Sequence, residues 1–321
     1  MLLGDETFSW PRFATAAALG VVATYSFANG ILFWPIGFAV LLVLTVQARE
    51  RIAALESWIV IAALTLGAYF YDYHKPEEHP PLTLLFRMPG EYLAYLFKYL
   101  GGIGEQNLCG DPAIDGVLAL LIGLAGTATL GWAGWMLVRS SIVGFRTLIP
   151  YLAMSLYSVG GALITGVGRL GFGSDQALAS RYCTMVTPLW VSLVVFLFLL
   201  GRSNGKAAPG ASAESKSASG FRAWNGCLVA RGLLGAVLVV VALGSAFGVV
   251  GASNVSRAQA YGRDRLLELA ARPKADTDTS GLLAIYPVPS IVVERYPVLV
   301  KYQLSLFHDS NSALDSGAKP R

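Results

Sequence analysis

Apolar residues along this chain fall in long uninterrupted runs, not in the alternation of a half-buried strand or the narrow stripe of a soluble amphipathic helix. The runs cover Phe13–Gln47, Ser57–Tyr71, Gly116–Val138, Leu148–Gly168, Tyr182–Leu200 and Gly232–Val250. A helix needs ~20 apolar residues to cross a ~30 Å hydrocarbon core, so each long run is counted as a crossing. The first run has room for two. Asn29-Gly30, a good turn dipeptide, lies in its middle and predicts two helices, 13–28 and 31–47, in preference to one bent helix. The pattern therefore predicts an all-α polytopic transmembrane bundle of about seven spans, 13–28, 31–47, 57–71, 116–138, 148–168, 182–200 and 232–250, within residues 1–251.

Composition strengthens this reading. Of 321 residues, 55% are hydrophobic and 14% charged, against roughly a quarter charged in ordinary soluble domains. The net charge of +4 comes from basic residues scattered between apolar runs, which argues against nucleic acid as a partner and for the lipid bilayer. Arg12, Arg49, Arg51, Arg139, Arg146, Arg202, Lys206, Lys216 and Arg222 all fall in loops on one side of the seven-span scheme. Short loops rich in Lys and Arg stay cytoplasmic, so the expectation is a cytoplasmic N-terminus and an extracytoplasmic C-terminus. Met1–Pro11 lacks a basic n-region and Phe13–Gln47 lacks a small-residue cleavage site, so no removable signal peptide is read. Residues 202–220, rich in Gly, Ser, Ala and Lys, read as a flexible linker. Gly123, Thr127 and Gly131, and again Gly244 and Gly248, recur every four residues, a spacing that lets helices approach closely in lipid.

The scheme places all three histidines, His74, His79 and His308, on the outer side. The loop from Asp72 to Asp115 opens on a dense titratable group, Asp72, His74, Lys75, Glu77, Glu78 and His79, stiffened by Pro76, Pro80 and Pro81. Such a group suits a general base or the binding of a sugar phosphate, or is simply a solvated loop. Its spacing matches no metal motif, and no metal or cofactor is implied. Farther on, Leu93, Leu96, Phe97 and Leu100 recur at helical spacing within 91–100, with Tyr92, Tyr95 and Tyr99 on the other positions. That pattern predicts a helix lying in the outer interface with its tyrosines at headgroup level. A second outer segment, 166–182, holds four glycines between Arg169 and Arg181 or just before them, with Gln176 and Tyr182. Arginine presents a planar fork to phosphate oxygens, so Arg169 and Arg181 are candidate anion clamps as well as candidate snorkelling anchors. Cys109 and Cys183 also fall outside, and two thiols are read there in preference to a disulfide, because spacing gives no distance between them. Residues 252–308 read as a helical extracytoplasmic tail, with a helix over about 255–271 and a second short one, and 309–321 as disordered.

Ser26–Gly30 with Trp34 and Pro35, Tyr73–Pro76, Gly168 and Arg169 through Ser180–Tyr182, and Tyr286 and Pro287 ahead of Leu304–Phe307 resemble a group of uncharacterised bacterial inner-membrane proteins, similar in general plan to GT-C-type glycosyltransferases. Members of that group look longer at the N-terminus, so the chain looks N-terminally short. GT-C enzymes keep a catalytic Asp or Glu in the first outer loop, and Ala28–Gly30 supplies none. The resemblance implies transfer from a polyprenyl-phosphate-linked sugar at the outer face. Asp72 or Glu91 would act as base, Arg169 and Arg181, with Gln176 and Tyr182 beside them, would hold the phosphate, and His74 or Lys75 would assist. A non-catalytic assembly or scaffold component is the alternative, since no complete motif appears. A transporter ranks third, because the spans hold almost no ionisable residues.

Overall fold

In lipid every backbone N–H and C=O must find its partner within the protein, and a helix achieves this inside one segment. The computed structural model describes residues 8–43, 48–74, 81, 83–104, 111–140, 143–202, 213–271, 282 and 289–302. Every regular element among them is helical: α1 (Trp10–Ser26), α2 (Phe33–Val43), α3 (Ala48–Phe70), α4 (Leu84–Arg87), α5 (Pro89–Gly101), α6 (Pro112–Ser140), α7 (Phe145–Arg169), α8 (Cys183–Arg202), α9 (Ala213–Ala271) and α10 (Pro289–Lys301), with short 3-10 turns between them. Five stretches are long and apolar enough to cross a membrane, Arg49–Phe70, Ala113–Arg139, Phe145–Phe172, Cys183–Arg202 and Cys227–Ala246. They are compatible with an integral membrane protein.

The N-terminal pair is not among these five stretches, so of the seven expected spans five have a long apolar helix among the described residues. The chain breaks where the sequence places a turn, but α1 has 17 residues and α2 has 11, short of the ~20 that a crossing takes. The break is a 3-10 turn over Ala28–Leu32 entered through an extended Phe27. Gly30 is required there by closeness: a Cβ would lie 2.0 Å from the Ala23 carbonyl oxygen. Tryptophans bind this pair to α3. The Trp58 indole donates to the Trp34 carbonyl at 2.9 Å, and the Trp34 indole donates to the Thr24 hydroxyl at 2.9 Å. Around these bonds pack Phe13, Ala16, Ala17, Leu41 and Ala54.

Helices α5 to α8 and part of α9 share the main core, which includes Tyr95, Tyr99, Leu137, Leu148, Leu189, Phe196, Ala230 and Val237. Closest of all is α5 on α6. A Cβ on Gly101 would fall 1.8 Å from the Ala119 carbonyl oxygen, and one on Gly123 would fall 1.9 Å from that of Phe97. Gly123 thus serves helix approach as its spacing predicts, whereas Gly131 has nothing within 4 Å. Serines join α7 to α8. Pro188 lies inside α8, where proline opens the helical hydrogen-bond ladder. Ser158 of α7 bridges the gap: its hydroxyl accepts from the Leu189 N–H at 3.2 Å and donates to the Met185 carbonyl at 2.8 Å. The Arg231 guanidinium of α9 donates to the Gly201 carbonyl at the end of α8, at 3.0 Å.

The chain divides into two compact units, Met1–Phe247 and Gly248–Arg321. In the second, Leu266 and Leu282 are buried against Val292, Val293, Tyr296 and Leu299. The stretch expected as a linker overlaps α9 from Ala213 on, and the helix expected over 255–271 is the last part of α9, which runs from Ala213 to Ala271. Ala, Glu, Lys and Ser at 213–219 tolerate a helix well, and a preceding helix propagates more easily than a new one nucleates.

Candidate functional site

The polar residues of the first unit gather where α5 meets the C-terminal end of α7, the 3-10 turns after it and the start of α8. Helix α5 supplies the largest surprise. Its tyrosine face is turned into the protein: Tyr95 and Tyr99 are 0% exposed and Tyr92 is buried, while Leu93 is 52% exposed. The expected interfacial helix with tyrosines among headgroups is therefore reversed. The reason is hydrogen bonding and fit. Tyr92 donates to the Leu163 carbonyl at 2.8 Å, and the Trp190 indole of α8 donates to the Leu100 carbonyl at 2.9 Å, capping the end of α5. Gly166 leaves room for the tyrosine rings, since a Cβ there would lie 2.8 Å from Tyr92 and 3.2 Å from Tyr95.

Tyr95 and Tyr99 carry buried hydroxyls with no hydrogen-bond partner. Tyr99 stacks on Tyr182 with ring centroids 4.9 Å apart. The side chains of Thr165 and Asn29 act on the Tyr99 hydroxyl, though neither closes a bond of full geometry with it. Asn29, buried, donates instead to the Thr165 hydroxyl at 3.4 Å. The turn residue thus doubles as a buried polar strut between the N-terminal helices and α7.

Two arginines border this group. Arg169 ends α7 with its guanidinium 5.7 Å from the Phe172 ring, and Arg181 lies 5.0 Å from the Tyr182 ring and donates to its hydroxyl at 3.3 Å. Both act electrostatically on the Tyr95 hydroxyl. Burial, chiefly, and then the neighbouring Tyr182 and Tyr99 raise the Tyr95 pKa above its ordinary 10.0, while Arg169 and Arg181 pull it back. Burial raises Tyr99 in the same way. Below 10.0 both states keep these protons and their ionisation is neutral to stability, which falls as rising pH ionises the unfolded chain first. Thermal unfolding of the detergent-solubilised protein should accordingly fall in temperature above about pH 10, and fall less steeply in a Tyr95→Phe/Tyr99→Phe variant. Parallel slopes in the two proteins would contradict this.

Lys98, on the same helix, is 15% exposed and pairs with Asp175 at 3.0 Å while donating to the Ser174 hydroxyl at 2.8 Å. It ties α5 to the 3-10 turn Ser174–Leu178, beside the first turn of α6, where Asp115 is buried. Of the glycines between α7 and α8, Gly173 alone takes a positive φ, 100°.

The remaining described candidates are exposed. Asp72 and His74 follow α3, 89% and 88% exposed, with His74 Nδ1 3.7 Å from the Asp72 carboxylate. Glu91 is exposed in the first turn of α5, and Gln176 is exposed in the 174–178 turn. Arg169, Arg181 and Tyr182 are the predicted residues that the structure brings together. Lys75, Glu77, Glu78, His79 and Cys109 lie outside the described residues. Cys183 is a thiol whose sulfur lies 3.7 Å from the Gly102 carbonyl oxygen. Among the described residues no three His, Cys, Asp or Glu side chains converge as metal ligands. Residues the sequence reading passed over are Tyr95, Tyr99, Asn29, Thr165 and Lys98. The one available signal was the spacing of Tyr92, Tyr95 and Tyr99, three and four apart, which puts them on one helix face.

A groove of about 220 Å³ lies between α2, α7 and α8, lined by apolar residues including Phe33, Ile36, Val40, Ile149 and Met154, with Tyr157 among them. Tyr157 is also near enough to Tyr99 to act on it electrostatically. Comparison with known proteins finds no matching family model, no matching curated protein and no matching solved structure.

Proposed function

We propose that this integral membrane protein holds the phosphate of a polyprenyl-phosphate-linked sugar at Arg169 and Arg181, in glycan assembly at the outer face of a bacterial inner membrane. The observation that carries the reading is that the two arginines flank the 170–182 segment, Arg169 over the Phe172 ring and Arg181 over and bonded to Tyr182, which stacks on the buried Tyr99. Arginine forks suit phosphate oxygens, and the apolar groove offers hydrocarbon a place along α2 and α7. In the transferase form of this reading, Asp72 or Glu91 takes the proton of an acceptor hydroxyl. The acceptor oxygen bonds to the anomeric carbon, and the bond from that carbon to the phosphate oxygen breaks. The phosphate leaves with its charge held by the arginines, with His74 or Lys75 assisting. The exposure of Asp72, His74 and Glu91 suits an acceptor arriving from water. The N-terminus is cytoplasmic in this arrangement, as the Lys and Arg distribution favours.

Cells in which Arg169→Gln/Arg181→Gln or Asp72→Ala replaces the native protein at normal abundance should lose surface glycan and accumulate lipid-linked sugar. Unchanged glycan and unchanged lipid-linked pools would overturn the proposal. The second reading, a non-catalytic assembly component, has one observation in its favour: the open space around Gly131 on α6, where a partner helix could approach closely. Under that reading Gly131→Leu, and not the arginine changes, abolishes glycan assembly.

A further inference from the structure

The hydroxyls of Tyr95 and Tyr99 are an expense the fold does not need. Phenylalanine would fill the same volume, and a buried hydroxyl without a partner is disfavoured, more so where no water competes. Neighbouring polar groups of this bundle are paired: Tyr92, Trp190, Ser158 and Trp58 each donate to a backbone carbonyl. Tyr95 and Tyr99 hold O–H donors 0% exposed that close no hydrogen bond of full geometry, Tyr99 with Thr165 and Asn29 beside it and Tyr95 with no polar side-chain partner, under the positive field of Arg169 and Arg181. A donor without an acceptor, beside two fixed cations, fits a ligand rich in acceptor oxygens and negatively charged. Tyr182 of the 170–182 segment stacks on Tyr99 and Lys98 ties the 174–178 turn to α5, so such a ligand enters as that segment lifts.

We infer that Tyr95 and Tyr99 are oxyanion ligands: their phenol O–H groups donate to the non-bridging oxygens of a phosphate that Arg169 and Arg181 neutralise at the rim. Neutral phenols donate across the whole physiological range, so binding by this pair does not require them to titrate. The inference rests on the phosphate reading above and adds to it the inner half of the site.

The full-length protein, purified in detergent, is titrated with farnesyl phosphate and, separately, with inorganic phosphate, and its thermal stability is recorded without ligand. Tyr95→Phe should weaken farnesyl phosphate binding about tenfold, the loss expected for one hydrogen bond to a charged group, while raising the unfolding temperature of the unliganded protein. Tyr99→Phe should do the same. Opposite signs for binding and stability separate a ligand-serving hydroxyl from a structural one. If the Phe variants bind as wild type does, or if they lose stability, as removal of a partner of a bound structural water would cause, the inference is overturned. If Arg169→Gln/Arg181→Gln loses binding while both Phe variants keep it, this inference falls and the phosphate reading stands. If wild type binds neither probe, both fall. Binding of inorganic phosphate with the same Tyr95 dependence and an affinity equal to farnesyl phosphate would keep the tyrosine ligands but assign them to a free anion in place of a lipid headgroup.

Discussion

Valine in place of Gly123 is expected to dislodge α5 and leave a protein that no longer folds to a single state. The added Cβ would meet the Phe97 carbonyl oxygen at 1.9 Å, and the neighbouring backbone nitrogen of Gly101 at 2.8 Å. A side chain in that position can turn aside, but a helix backbone cannot. Overpacking against side chains typically costs 1–3 kcal/mol, so a clash with a carbonyl that already belongs to the helix ladder should exceed about 3 kcal/mol. Gly101→Val makes the reciprocal clash, with the Ala119 carbonyl oxygen at 1.8 Å, and should match it. Gly131→Val is the control, since nothing lies within 4 Å. Size-exclusion profiles and thermal unfolding in detergent check the set: Gly123→Val and Gly101→Val should aggregate or unfold early, and Gly131→Val should follow wild type. Equal behaviour of all three would mean that α5 does not pack on α6 as described.

Ser158→Val should be the next most damaging change, since it removes the hydroxyl and adds a methyl group at a fully buried position. The Ser158 hydroxyl accepts from the Leu189 N–H and donates to the Met185 carbonyl, beside Pro188, which has no N–H of its own to donate. Valine would remove both bonds, in surroundings without water to replace them. An unmatched buried polar group costs ~1–3 kcal/mol, so a loss of about 2–4 kcal/mol is expected for the two. Ser155→Ala is milder, because the Ser155 hydroxyl only returns to the Tyr151 carbonyl of its own helix at 2.9 Å. Unfolding of the two variants in the same detergent should therefore be ordered Ser158→Val well below Ser155→Ala, and the reverse order would show that α8 mends its own break at Pro188.

Long apolar runs needed no tertiary context to be legible, so the positions of the later spans follow the sequence closely: 116–138 became Ala113–Arg139, and 182–200 became Cys183–Arg202. The first run was harder. Asn29-Gly30 marks the break correctly, yet how short the two pieces are, and that Asn29 turns inward to Thr165, depend on partners far along the chain. On α5 the simplest rule pointed the wrong way. Leucines at helical spacing ordinarily face a core, but in a bundle bathed in lipid Leu93 is content outside, and it is the hydroxyls and indoles that need the interior to find carbonyls. Lys98 finds its partner Asp175 77 positions away along the chain. The arginines were legible because charge at the end of an apolar run is conspicuous. The inward turn of the tyrosines was not, since their spacing puts them on one helix face without telling which way that face looks.

The central claim is that the Arg169 and Arg181 end of the bundle recognises phosphate on a hydrocarbon carrier. Competing farnesyl phosphate against farnesol for the purified full-length protein tests it directly, since the two probes share their chain and differ in the charged group. Two charge-assisted contacts should make the phosphate ester bind at least about a hundredfold more tightly, and Arg169→Gln/Arg181→Gln should erase the difference. Equal affinity of wild type for the phosphate and the alcohol would contradict the account.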